Sequence, residues 1–214
     1  MKTVLTRADA APLAEKIAAD LNAAADEITA LDQQMGDGDL GVTCRLGMKA
    51  VLDGLPALED ASLDQILLKS GMSFNSAGAS TYGALVATAA MRGAKVAKDR
   101  GLDEWDLESI AAAARAAAEG IEQRGKAQRG EKTMLDALWP GVEALESASA
   151  AGKNLAEAFA DAVVAVEAGV ESTKPLKAKY GRAAWLQDQT VGVQDPGSTV
   201  VAVVFRSIAE YVRD

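Results

Sequence analysis

Apolar residues recur at three- and four-residue steps along most of the chain, the spacing of one face of an α-helix. Leu13, Ile17, Leu21, Ala24 and Ile28 form the first such stripe; Thr6 and Asp9 offer a capping arrangement ahead of it, and the pattern predicts an end near Leu31. A second helix is expected from Gly41 to Leu52, stopped at Gly54-Leu55-Pro56. Ser62-Leu-Asp-Gln65 reads as a capping box for a third, running to Lys69 or a little beyond. Gly71 to Gly83 is dense in glycine and hydroxyl residues, which implies a sharp turn or close backbone approach, and helical composition resumes from Ala84 to Lys98.

Asp103 is placed to cap a helix through about Gln123, followed by the basic loop Arg124-Gly-Lys-Ala-Gln-Arg-Gly130. From Glu131 to Ser147 the positions Met134, Leu135, Leu138, Val142 and Leu145 share a face, with Trp139-Pro140 a bending point. Asn154 with Glu157 caps a helix through Glu171. Lys174 to Pro196 has no helical pattern, and a loop of that length in a compact domain is functional or disordered. Asp195-Pro-Gly opens a last helix to Tyr211. Within it Val200-Val-Ala-Val-Val-Phe205 suits a strand equally well on propensity, and helix is the reading adopted. The sum is about eight helices in one all-α domain spanning residues 1–214, with no internal repeat or linker.

Composition fits packed helices: 49% of residues are hydrophobic, only 4% aromatic, and alanine runs such as Ala111 to Ala118 recur. The 31 acidic and 22 basic side chains give a net charge of −9, which argues against a nucleic-acid partner. With no histidine, Ser-His-Asp triads, imidazole zinc sites and phosphohistidine relay on this chain are excluded. Cys44 is the only cysteine, so neither an internal disulfide nor a thiolate cluster is available, and a cytoplasmic setting is expected. Arg7 and Asp9 break the short apolar start and no long apolar run follows, so neither signal peptide nor membrane span is expected.

Candidate chemistry concentrates in Leu31-Asp32-Gln-Gln-Met-Gly36-Asp37-Gly38-Asp39-Leu40-Gly41. Three carboxylates lie at a helix end and in a glycine-rich turn that lets them converge, and convergence of like charges needs a cation. Oxygen ligands suit Mg²⁺ or Ca²⁺; the spacing fails the EF-hand pattern, and Mg²⁺ with phosphate matches better. A solvated acidic turn, with Asp32 and Asp39 as caps, accounts for the segment equally well. Gly78-Ala79-Ser80-Thr81 reads as an anion cradle at a helix start or as a plain turn. Arg182 suits bidentate phosphate binding or is an ordinary surface arginine, and Asp195-Pro196-Gly197 reads first as a cap. The Arg124 to Lys132 loop is a docking or phosphate-facing surface, or a solvated loop.

The ordered set Asp32-x4-Asp37-Gly-Asp39-x-Gly41, Gly78-Ala79-Ser80, Arg124-Gly-Lys-Ala-x-x-Gly130-Glu-Lys-Thr-Met134-Leu-Asp136, Gly181-Arg182-Ala and Val191-Gly-Val-Gln-Asp195-Pro196-Gly197 resembles the nucleotide-binding L subunit of dihydroxyacetone kinases. The resemblance implies an antiparallel barrel of eight helices with ADP or ATP at one end. It implies Asp32, Asp37 and Asp39 as ligands of two Mg²⁺ ions, and nucleotide contacts at Leu40, Gly41, Val42, Thr43, Ala79, Ser80, Gly125, Met134, Arg182, Asp195, Pro196 and Gly197. Met134 would pack on the adenine. A separate K-type subunit would hold the sugar, so this chain would supply the phosphoryl donor without a catalytic base of its own.

Two segments depart from the family pattern. Where the family shows Asp-x-Asp-His-Gly-x-Asn, this chain has Asp37-Gly-Asp39-Leu40-Gly41-Val42-Thr43, and Phe74 to Gly83 is shorter than the family's Gly-Gly-Ala-Ser-Gly-Pro version. These changes bear on the acceptor, dihydroxyacetone, a related ketose or a tetrose such as erythrulose. They bear equally on the donor, which is exchangeable ATP or a held ADP recharged by a phosphotransferase-system protein. A reading of another class is a regulatory partner that binds nucleotide without turnover. The sequence leaves the oligomeric state open, a homodimer included.

Overall fold

The computed structural model describes residues 2–78 and 80–214. Its described residues form eight α-helices: α1 (Ala10–Met35), α2 (Leu40–Gly54), α3 (Leu63–Ala77), α4 (Thr81–Arg100), α5 (Leu107–Gly125), α6 (Leu135–Ala150), α7 (Leu155–Ser172) and α8 (Pro196–Arg213). Each packs on the next in sequence, and α8 returns to pack on α1. The ring is therefore closed, with an up-and-down course. Two short strands, β1 (Leu5–Thr6) and β2 (Glu104–Trp105), pair antiparallel. None of the described helices is long and apolar enough to cross a membrane.

The apolar stripes of the helices face into the ring. Ile28, Val142 and Val166 are fully buried, and the interior retains an apolar cavity of about 490 Å³ touched by Leu21, Phe74, Phe159 and Ile208. Cys44 is buried against Leu40 and Val200, and desolvation pushes its thiol up to about 12, so it is an apolar filler.

Several boundaries differ from the sequence expectation, each for a local reason. α1 runs on to Met35, whose side chain is buried, and stops where the Gly36 amide donates to the Asp32 carbonyl. Most of the glycine-dense stretch after Gly71 is helical. A Cβ at Gly71 would collide with that of Ala90, so this glycine serves close α3–α4 packing; α3 ends at Ala77 and α4 begins at Thr81. Ser62 stands at the N-cap of α3 as expected, but its hydroxyl donates to Asp64 and accepts no helix amide, so the capping box does not form. Asp106, not Asp103, caps α5 by accepting the Ser109 amide at 2.8 Å, since residues 104–105 are engaged in β2. The helix expected from Glu131 begins at Leu135 because the Asp136 carboxylate accepts the Gly130 and Thr133 amides and holds the preceding segment as a loop. Val200 to Phe205 is helical, and Val200, Val201, Val203 and Phe205 are buried.

The up-and-down course fixes where function can sit. Connections from odd to even helices, residues 36–39, 78–80, 126–134 and 173–195, all fall at one end of the ring. The amino termini of α2, α4, α6 and α8 point to that same end.

Candidate functional site

A cleft of about 460 Å³ opens at this end, lined by residues from all four connections. The residues that immediately precede the even helices, Asp39, Ser80, Met134 and Asp195, all line it. Four positive helix ends therefore face one space, a setting that favours an anion. Ser80 accepts the Gly83 amide at 3.0 Å and Asp195 accepts the Ser198 amide at 2.6 Å.

Against this positive field stands an acidic cluster. Asp32, on the last turn of α1, and Asp37 and Asp39, in the turn before α2, each place a carboxylate oxygen within 4.8 Å of the others. Gly38 adopts φ +73°, a left-handed conformation that reverses the chain between Asp37 and Asp39. Asp32 also accepts the Leu40 amide at 3.1 Å, tying the end of α1 to the start of α2. Arg182 supplies the cation nearest this cluster, its guanidinium paired with the Asp37 carboxylate. The donor set is all oxygen, so it fits a hard divalent cation.

The opposite wall comes from the Lys132-Thr-Met-Leu-Asp136 segment and the start of α8. Thr133 accepts the Ser198 hydroxyl through its carbonyl at 2.8 Å, which joins the 126–134 loop to α8. Met134 is buried beside Gly197, where an added Cβ would stand 3.3 Å from the methionine Cβ. Burial raises the Asp195 carboxyl to about 7, although the Ser198 amide and Lys132 pull the other way.

The structure brings Asp32, Asp37, Asp39, Leu40, Thr43, Ser80, Met134, Arg182, Asp195, Pro196 and Gly197 to the cleft. Three expected contacts lie off its lining. Gly41 is buried against the Ala25 carbonyl, Val42 faces outward, and Gly125 ends α5 beside Leu85. Ala79 lies outside the described residues. Of the basic loop, Lys132 is buried and Arg129 pairs with Glu143 at 3.1 Å, while Arg124 and Lys126 remain exposed. Sequence reasoning missed Tyr82, Lys132, Tyr180 and Trp185 as lining residues. Lys132 stands inside a motif already singled out and Trp185 follows Arg182 closely, so adjacency was the available signal.

The fold and the site define the class as an all-α, eight-helix module with an acidic cluster set among helix amino termini. The chain belongs to the DAK2 domain family, whose model matches residues 34–210. It is 34% identical to the PEP-dependent dihydroxyacetone kinase, ADP-binding subunit DhaL, of Escherichia coli (strain K12), over 85% of this chain and 86% of that one. It is 30% identical to the triokinase/FMN cyclase of Homo sapiens over 93% of this chain but 34% of that protein. The dihydroxyacetone kinase from C. freundii, solved with AMP-PNP and Mg²⁺, superposes with a TM-score of 0.72 at 25% identity, covering 95% of this chain and 34% of that chain. The present chain thus spans about a third of the two longer proteins.

Proposed function

We propose that this chain is the nucleotide-binding L-type subunit of a dihydroxyacetone kinase. In this reading it holds ADP or ATP with Mg²⁺ and presents a phosphoryl group to dihydroxyacetone, or a related small ketose, on a separate K-type subunit. The observation that carries the reading is the meeting of three carboxylates and four helix amino termini in one cleft. Carboxylates alone would repel a polyphosphate and amides alone would not need them; together they suit a metal-bridged phosphate. The near end-to-end match to L subunits supports the subunit arrangement.

Asp32, Asp37 and Asp39 would hold the metal, and three negative charges suit a pair of divalent ions better than one. Mg²⁺ held by these carboxylates would supply charge neutralisation for the phosphate oxygens. The amides at the starts of α2, α4 and α8 bind and orient the phosphates, Ser80 and Thr43 add hydroxyls, and Met134 offers an apolar wall for the base. Arg182, exposed and paired with Asp37, is placed to exchange that carboxylate for phosphate. The three carboxylates are assigned to the metal in this reading and no other group named is a base, which agrees with a reaction governed by positioning and charge.

The test mixes the purified chain with a K-type subunit, Mg²⁺, dihydroxyacetone and either ATP or a phosphotransferase-system donor. Phosphorylated ketose is expected only when this chain is present. ADP that survives gel filtration would assign the recharged-cofactor route, and free exchange the ATP route. Tight Mg-ADP binding without product from any ketose would replace the kinase reading by a regulatory one.

A further inference from the structure

Lys132 carries a function not contained in the site as described. Its side chain is buried, and its ammonium donates to the Thr173 carbonyl at 2.7 Å and to the Val193 carbonyl at 2.5 Å. Those carbonyls stand at the two ends of the long connection between α7 and α8. The first is also the carboxyl end of α7, where a cation is favoured. The Asp136 and Asp195 carboxylates lie near enough to offset the buried charge. Lys132 itself sits at φ +60°, a left-handed conformation that costs a non-glycine residue about 1–2 kcal/mol and persists where surroundings demand it.

The strap that begins and ends at Lys132 is a closed loop. The Gly192 amide donates to the Lys174 carbonyl at 2.7 Å, and the Asp195 amide to the Thr173 hydroxyl at 2.8 Å. Farther out, the Thr190 hydroxyl accepts the Ala178 amide at 3.1 Å and Lys177 pairs with Asp188 at 2.6 Å. Its outer part carries Tyr180, Arg182 and Trp185 into the cleft, with Trp185 84% exposed. We propose that Lys132 is a positioning residue whose ammonium staples both feet of this strap, so that Arg182 is aimed at the acidic cluster. Methionine would fill the same space without a donor, leaving the part-buried Val193 carbonyl without its partner, the Thr173 carbonyl with the Leu176 amide alone, and the strap hinged on its remaining bonds.

The aim at Arg182 matters to function only if the cleft binds a nucleotide, so this inference rests on the proposed function. The strap itself is tested without ligand. Trypsin acting on the full-length, nucleotide-free chain should cut Lys132→Met at Lys177, Lys179 and Arg182 at least about tenfold faster than the parent, with circular dichroism unchanged. In calorimetry with Mg-ADP, Lys132→Met and Arg182→Ala should each weaken binding about tenfold, and the double variant should be no weaker than Arg182→Ala alone. A purely structural loss would instead multiply in the double variant. Unchanged strap cleavage, or independent and multiplying losses, overturns the staple. If the parent binds no Mg-ADP, the proposed function fails and the cleavage comparison alone decides the staple. If Lys132→Met does not fold, Lys132→Leu, which is smaller and likewise lacks a donor, takes its place in both measurements.

Discussion

Arg182 and Asp37 are ion-paired across 145 positions of sequence, and this contact joins the tip of the α7–α8 strap to the turn between α1 and α2. The arginine is 64% exposed, so the pair contributes little to folding, about 0–1 kcal/mol. Its value lies in placing a guanidinium where a phosphate would meet the acidic cluster. Arg182→Ala is therefore expected to leave the melting temperature within about 2 °C of the parent while weakening Mg-ADP binding roughly tenfold. Scanning calorimetry and titration on the same sample check both halves.

Asp37→Asn tests the metal assignment from the other side. The substitution keeps size and hydrogen-bonding capacity but removes one of three charges, so magnesium-dependent ADP binding should fall by at least about a hundredfold. Helix content by circular dichroism should not move, because Asp37 lies in a turn and caps no helix. An affinity for ADP that is equal in the two proteins, with and without Mg²⁺, would refute the assignment.

The sequence showed the existence and order of all eight helices because each carries a continuous apolar stripe. It also singled out Asp32, Asp37, Asp39 and Arg182 as candidates, because residue type and glycine spacing limit what such a turn can do, while a solvated turn and an ordinary surface arginine stayed open. Hidden from it were features set by partners distant in sequence. Gly71 was open between a sharp turn and close backbone approach, and only Ala90 standing against it decides for the second. Met134 sat on an apparent helical face until Asp136 captured the loop amides before it. Lys132 was open between a docking or phosphate-facing surface and a solvated loop, because nothing local announces that Thr173 and Val193 supply its partners. Convergence of the four even-helix amino termini follows from ring closure, which periodicity alone does not reveal.

Acid sensitivity should trace in part to Asp9. Burial pushes its carboxyl up, but Lys2 at 2.8 Å, the Thr6 amide at 2.7 Å, the Tyr211 hydroxyl at 2.8 Å and the Thr6 hydroxyl at 2.9 Å outweigh that, lowering it from 3.8 to about 2. A carboxylate lowered by folding stabilises the native state above about pH 4 and loses that contribution as pH falls toward 2. Asp9→Asn should then cost on the order of 1–2 kcal/mol at pH 7, and its stability should converge on the parent's near pH 2. Urea titrations at a series of pH values measure the gap; a gap that does not close would show that packing, not charge, is lost.

Gly41 separates a packing role from a ligand role. A Cβ there would collide with the Ala25 carbonyl and the Thr29 hydroxyl, so α2 crosses α1 at backbone contact. Gly41→Ala should destabilise the fold by about 1–3 kcal/mol, read as a lowered urea midpoint. Because Gly41 does not line the cleft, saturating Mg-ADP should still raise the variant's melting temperature as it raises the parent's.

Leu40 stands where the resembled family has histidine, and the structure gives its backbone and side chain different tasks. Its amide donates to the Asp32 carboxylate at 3.1 Å, while its side chain is buried with Leu21, Ile28, Cys44 and Val203. The amide belongs to the site and the alkyl group to the core, so truncation should damage stability far more than binding. Leu40→Ala is expected to cost about 2–4 kcal/mol in urea unfolding while Mg-ADP affinity, measured well below the midpoint, stays within roughly threefold. Leu40→His should be at least as destabilising, since its imidazole would be desolvated among apolar side chains. A Leu40→His protein that binds Mg-ADP more tightly at undiminished stability would show that this side chain turns toward the phosphates, and would restore the histidine contact the chain otherwise lacks.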